Sequence, residues 1–132
     1  MNELNYATPE ASKRLEDAGI ILETDVYHKV GVYGSMPSML CTKTEYEIDS
    51  DPYHPDSDPD VLNGVAVYLP APSMAEVWRE LPNWIEGEMK LSLAKFGDGS
   101  VAGYGDTDAI VFNTNPTDAL IDLLIWVKEY KQ

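Results

Sequence analysis

Residues 115 to 130, NPTDALIDLLIWVKEY, constrain the fold more than any other stretch of the chain. Asn115 suits a helix cap, Pro116 the first helical position, and Asp118 a capping-box-like start beside the positive end of the dipole. At about 100° per residue, Leu120, Leu123, Leu124, Val127 and Tyr130 share one face. Ile121 and Ile125 then fall opposite, among Asp118, Asp122 and Glu129, with Trp126 at the edge of that side. A helix with apolar groups on both sides needs cover on both sides. The second cover is either another element of the same chain or a second protein. Under the second alternative Ile121, Ile125 and Trp126 form the binding patch, and homodimerisation is its simplest use.

The rest of the chain supplies elements to pack around that helix. A short helix is expected over about Pro9 to Ala18, with Thr8 as cap and Gly19 as stop. A strand follows with Val26, His28, Val30 and Val32 on one face and Tyr27, Lys29 and Tyr33 on the other. GSMPS (34 to 38) reads as a turn. Leu40, Thr42, Thr44, Tyr46 and Ile48 then alternate with Cys41, Lys43, Glu45 and Glu47 as a second strand, completing a hairpin. GVAVYLP (64 to 70) is a further short strand. Ser73 and Glu76 form a capping box for a helix whose buried face is Met74, Val77, Trp78 and Leu81, ended by Pro82. Residues 84 to 113 read as a three-strand meander turning at GDGS (97 to 100) and DTD (106 to 108). The expected architecture is one α+β domain over 1 to 132, with about three helices on an antiparallel sheet in the order α-β-β-(β)-α-β-β-β-α.

Between the hairpin and the middle of the chain stands DSDPYHPDSDPD, residues 49 to 60. Asp56, Asp58 and Asp60 have the spacing that opens a calcium-binding EF-hand loop. Val61 stands where that loop needs Gly, and Val67 where it needs a bidentate acid, so the pattern fails. Pro52, Pro55 and Pro59 exclude helix and central strand. The residues from 49 to 63 are therefore expected as an exposed acidic loop, extended and stiffened by proline. Asp49, Asp51, Asp56, Asp58 and Asp60 are then candidate binding residues, spaced along extended chain much like phosphates in a nucleic-acid strand. A looser calcium site in this loop is the remaining metal alternative. No metal ligand set and no cofactor is assigned.

The formal charge is −14, from 23 acids against nine Lys and Arg. Such a field repels phosphate backbones, which argues against direct nucleic-acid binding and suits a basic partner protein. No apolar run is long enough to span a membrane, and the first residues lack the basic and apolar regions of a signal peptide. With Cys41 as the only cysteine, a cytoplasmic setting is expected, and Cys41 reads as a small buried or half-buried side chain. His28 reads as structural, and His54 either hydrogen-bonds locally or joins an adventitious metal with the aspartates. GDGSVAGYGD (97 to 106) has no Lys and leads into no helix, so it is a hairpin rather than a phosphate loop. No catalytic constellation emerges.

ASKRLEDAGIILETD (11 to 25), PAPSMAEVWRELP (70 to 82) and NPTDALIDLLIWVKE (115 to 129), taken in order, resemble uncharacterised small proteins of phages and prophages, especially of gut Bacteroidetes. The resemblance brings no activity, cofactor or catalytic residue with it. It implies a small accessory protein in the cytoplasm of an infected bacterial cell, where the acidic loop is an unusual addition. The leading expectation is a non-enzymatic protein that binds another protein, such as a host defence or nucleic-acid-handling component. The alternative is a small-molecule (nucleotide-like) binding or hydrolytic protein with its site near Tyr27, His28, Tyr33 and the acidic loop.

Overall fold

The last helix organises the structure. The computed structural model describes residues 5–32, 38–82, 84–85, 89–104 and 110–130. Its elements run α1 (Pro9–Asp17), β1 (Val26–Gly31), β2 (Met39–Thr42), α2 (Lys43–Asp49), α3 (Pro59–Leu62), β3 (Ala66–Pro70), α4 (Met74–Glu80), β4 (Trp84–Ile85), β5 (Met89–Phe96), β6 (Gly99–Tyr104), β7 (Ile110–Asn113) and α5 (Pro116–Tyr130). The α+β class holds, with five helices among the described residues and two small antiparallel sheets. One sheet has the order β2-β1-β3. The other is the meander β5-β6-β7, with two-residue β4 pairing beside β5. Tyr33, the turn at 34 to 37 and the DTD turn lie outside the described residues.

α5 packs against α1 and α4 on one side and against β6 and β7 on the other. Asn115 Oδ1 caps it by accepting from the amides of Thr117 (2.8 Å) and Asp118 (3.2 Å). Leu120, Leu123, Leu124 and Val127 are buried as their spacing requires, and Ile121 is buried as completely, at 0% exposure. The reason lies in its neighbours. Asp118 does not act as a capping-box acid; its two oxygens accept from the Thr8 amide (2.9 Å) and the Thr8 hydroxyl (2.6 Å). One turn later Asp122 pairs with Arg14 at 2.8 Å. The side of α5 that reads as wet is thus covered by α1 and the segment before it. Burial pushes the Asp118 carboxyl above its ordinary value against the opposing pull of the Thr8 hydrogen bonds.

α1 is capped by the Thr8 hydroxyl, which accepts from the Ala11 amide. It ends on Gly19, at φ +72°, with the Ile20 amide donating to Leu15 O and the Gly19 amide to Glu16 O. That pair of bonds is the Schellman closure for which a residue without Cβ is suited. α4 has the expected Ser73–Glu76 capping box. Val77 and Leu81 are core, whereas Trp78, expected inside, stays 40% exposed. The helix is only seven residues long, and among its residues only Val77 is fully buried.

The largest departure from expectation is at residues 43 to 49. They form a helix, not the continuation of a strand. Thr42 and Glu45 make a capping box: the Thr42 hydroxyl accepts from the Glu45 amide (3.2 Å), and Glu45 returns a carboxylate to the Thr42 amide (3.3 Å). That local gain outweighs an alternation of Thr and Glu that resembles a strand.

In the meander, Gly99 opens β6 and lies against Phe112 and Asn113 of the neighbouring β7. A Cβ there would lie 2.7 Å from Asn113 O and 2.7 Å from the Phe112 ring. The ring is half-exposed and has room to swing, but the backbone oxygen has none. Gly99→Ala is expected to cost about 1–3 kcal/mol in chemical denaturation. An unchanged midpoint would mean that β6 and β7 are not this close.

Candidate functional site

β1 sits in the middle of its sheet and offers two different faces. His28 points to one, where its Nε2 donates to Ala7 O and the ring is buried. The role is structural, as expected. Tyr27 and Lys29 point to the other face, under α2 and the acidic segment. Of the residues named for a small-molecule site, Tyr27 and His28 are therefore on opposite sides of the strand and do not line one pocket, while Tyr33 lies outside the described residues.

On the Tyr27 face, three rings make a cluster. Tyr27 stacks on Tyr46 of α2 with centroids 4.8 Å apart, and Tyr46 meets Tyr68 of β3 at 5.0 Å. Contacts of this kind contribute beyond simple area burial. Next to them the Lys29 ammonium is shared between Asp49, at 3.3 Å, and Asp58, with which it makes a close ion pair. The Tyr68 hydroxyl donates to Asp49 as well. Burial disfavours the Lys29 charge, yet its bonds to Asp58 and Asp49 outweigh that and raise its pKa. Hydrogen bonding from Lys29 lowers that of Asp58. Burial, then Asp49, push the Tyr68 phenol up. Cys41 is buried beside this cluster, and burial raises its thiol too, which favours the un-ionised form.

This pin changes the reading of the acidic loop. It is not an extended strip. The Tyr53 amide donates to Asp51 Oδ1 (2.9 Å), the His54 amide to Asp51 O (3.1 Å), and the Asp56 amide to His54 Nδ1 (3.0 Å). Of the two roles open to His54, the structure shows the local hydrogen bond. Asp58 then caps the one-turn α3, its Oδ1 accepting from the Asp60 amide at 2.9 Å. Prolines here set turns, and Pro59 takes the first position of a helix. Two of the five candidate aspartates, Asp49 and Asp58, turn inward to Lys29. The regular phosphate-like row of Asp56, Asp58 and Asp60 is therefore broken. The Lys29 ammonium engages Asp58, one of the three acids with calcium-loop spacing, together with Asp49. Among the described residues no group of three or more His, Cys, Asp or Glu is arranged to hold a metal.

What remains is an acidic lobe, residues 43 to 64, with a fixed shape. Asp51, Asp56 and Asp60 are exposed on it, as are Glu45 and Glu47 of α2. Tyr53 stands among them at 94% exposure. Of the other binding candidates, Ile121 is withdrawn from any surface by burial, while Ile125 and Trp126 are partly buried and packed against the core. Of the apolar candidates, Ile121 is thus the one taken fully inside the chain. Lys29, Tyr46 and Tyr68, which hold the lobe, carried no motif in the sequence; Thr42 and Glu45, which shape it, did.

No helix among the described residues is long and apolar enough to cross a membrane. No protein-family model, no curated protein and no solved structure matches the chain.

Proposed function

We propose that the protein is a non-enzymatic accessory protein of phage type that acts in the cytoplasm of its host by binding a basic partner protein through the acidic lobe. The observation that carries this reading is the division of labour among the aspartates. Asp49 and Asp58 are spent on Lys29 and fix the lobe. Asp51, Asp56 and Asp60 are left outward around an exposed Tyr53. A rigid, aromatic-centred, negatively charged surface loses little entropy on binding and steers a positively charged partner toward it. Tyrosine is also among the residues that most often anchor interfaces. A host protein that handles nucleic acid, or a defence protein that does so, presents the matching charge.

The test is capture from host lysate with the wild-type chain and with the Asp51→Asn, Asp56→Asn, Asp60→Asn variant. These side chains are exposed, so the variant is expected to melt within about a degree of the wild type. A basic protein should be retained by the wild type and lost from the variant. Equal retention by both, or retention of nothing by either, contradicts the reading.

A further inference from the structure

A second surface of the molecule lies beside the lobe, where the chain leaves α1. After Gly19 the side chains alternate: Ile20, Leu22 and Thr24 turn inward, and Ile21, Glu23 and Asp25 turn outward. Period-two alternation throws every second residue to the opposite side. It leaves Ile21 92% exposed, in a chain whose other isoleucines with a described side chain are all at least partly covered. No amide from Ile21 to Thr24 makes a hydrogen bond among the described residues. These amides are therefore not committed to strand pairing among the described residues.

Two cavities meet along it. One, of about 680 Å³, is an open cleft bounded by Glu23, Asp25, Tyr27 and the α4 residue Glu80. The other, of about 330 Å³, is apolar and bounded by Leu15, Ile20 and Pro72. Ile21, Leu22 and Pro70 line both, so they form one groove with an apolar half and a charged half. Glu76 also lines the charged half but is engaged, its carboxylate accepting from the Ser73 amide and the Thr24 hydroxyl. Glu23, Asp25 and Glu80 have no ion pair among the described residues, and carboxylates outnumber the two cations that share the cleft, Lys43 and Arg79.

We propose that this groove receives an extended basic segment of a partner protein, in which a large apolar residue is followed at the second and fourth positions by Lys or Arg. The match is one of pattern and charge. Outward residues two apart in extended chain are about 6–7 Å apart, so a strand laid alongside meets Ile21, Glu23 and Asp25 in register. The apolar residue lies on Ile21 and Pro70, and the cations face Glu23 and Asp25, with the Tyr27 ring alongside. This rests on the reading that the protein works by binding proteins, but it concerns a different surface from the acidic lobe.

The probe is a short synthetic peptide with a Leu-x-Lys-x-Lys core, set against one of the same composition with the leucine and lysines contiguous. Each is titrated into the ¹⁵N-labelled full chain. The alternating peptide is expected to shift amides of residues 20 to 25 and of α4, and to bind roughly tenfold tighter than the contiguous one. Ile21→Asp and Glu23→Lys should each weaken it by a similar factor without moving the melting temperature, since both side chains are exposed. Equal binding of the two peptides, shifts confined to residues 43 to 64, no shift at all, or indifference to both substitutions would overturn the proposal. The Asp51, Asp56, Asp60 triple variant, run in the same titration, separates the two readings. Groove binding should survive it, whatever becomes of lysate capture.

Discussion

Ile121→Asp is expected to leave no cooperatively folded protein at 25 °C. The side chain is fully enclosed between α5 and the cover provided by α1. A carboxylate there would have no cation of its own, and it would lie on the same side of the helix as Asp118 and Asp122. Asp118 is already pushed up by burial, and Arg14 is engaged with Asp122. Burying an unpaired charge costs several kcal/mol, and the lost isoleucine contributes about 2–4 more, against a total stability of about 5–15 kcal/mol for a domain. Ile121→Val, which removes one methylene, should cost only about 1 kcal/mol and melt cooperatively. Circular dichroism and thermal melting distinguish the cases. A soluble Ile121→Asp with an unchanged melting temperature would show that this side of α5 faces water or a second chain after all.

Lys29→Met is expected to have the next largest effect, and a pH signature of its own. Removing the ammonium leaves Asp49 and Asp58 facing each other, with Tyr68 the remaining side-chain donor at Asp49 among the described residues. The group is half-buried rather than deeply buried, with side-chain exposures of 13%, 19% and 22% for Lys29, Asp49 and Asp58. The loss at pH 7 should therefore be about 2 kcal/mol rather than the 3–5 of a fully buried pair. Asp58 has its folded pKa lowered below 3.8, so its contribution is present above that value and lost as pH falls through the lowered one. Lys29 has its folded pKa raised above 10.5, so its contribution is present below that value and lost as pH rises through the raised one. The gap between wild type and Lys29→Met should be widest between these limits and close at acid pH, where the carboxylates protonate. Amide exchange in residues 43 to 64 should quicken in the variant at neutral pH. A gap independent of pH would assign Lys29 a packing role only.

Much of this architecture was legible because local chemistry and hydrophobic period agreed. Thr8 and Gly19 bracket α1, Ser73 and Glu76 start α4, and the pattern from Asn115 to Val127 gives α5 its buried residues. Legibility failed where two local signals competed. Residues 40 to 48 alternate like a strand and also contain Thr42 and Glu45 at capping-box spacing, and the cap prevails once α2 places Tyr46 on Tyr27 and Tyr68. It failed again where the deciding contact is distant. Lys29 and Asp58 are 29 residues apart, and nothing near either one announces the other. The same holds for Arg14 with Asp122, the contact that shows α5 to be covered by its own chain. In the acidic loop, Asp51, Asp56 and Asp60 are exposed, whereas Asp49 and Asp58 turn inward to Lys29. The loop's shape was not legible, because Asp51, His54 and Asp58 close turns through their side chains that proline stiffness alone does not imply.

The central claim is that three outward aspartates around Tyr53 form a surface for a basic protein. The measurement that tests it most directly is the affinity of the captured partner for wild type and for the Asp51→Asn, Asp56→Asn, Asp60→Asn variant across ionic strength. Wild-type affinity should fall steeply as salt rises, mainly through the association rate, because exposed charges more than about 8–10 Å apart are screened at physiological salt. The variant should bind weakly and respond little to salt. Equal affinities with equal salt dependence would contradict the account and return the acidic lobe to the role of a solvated connector.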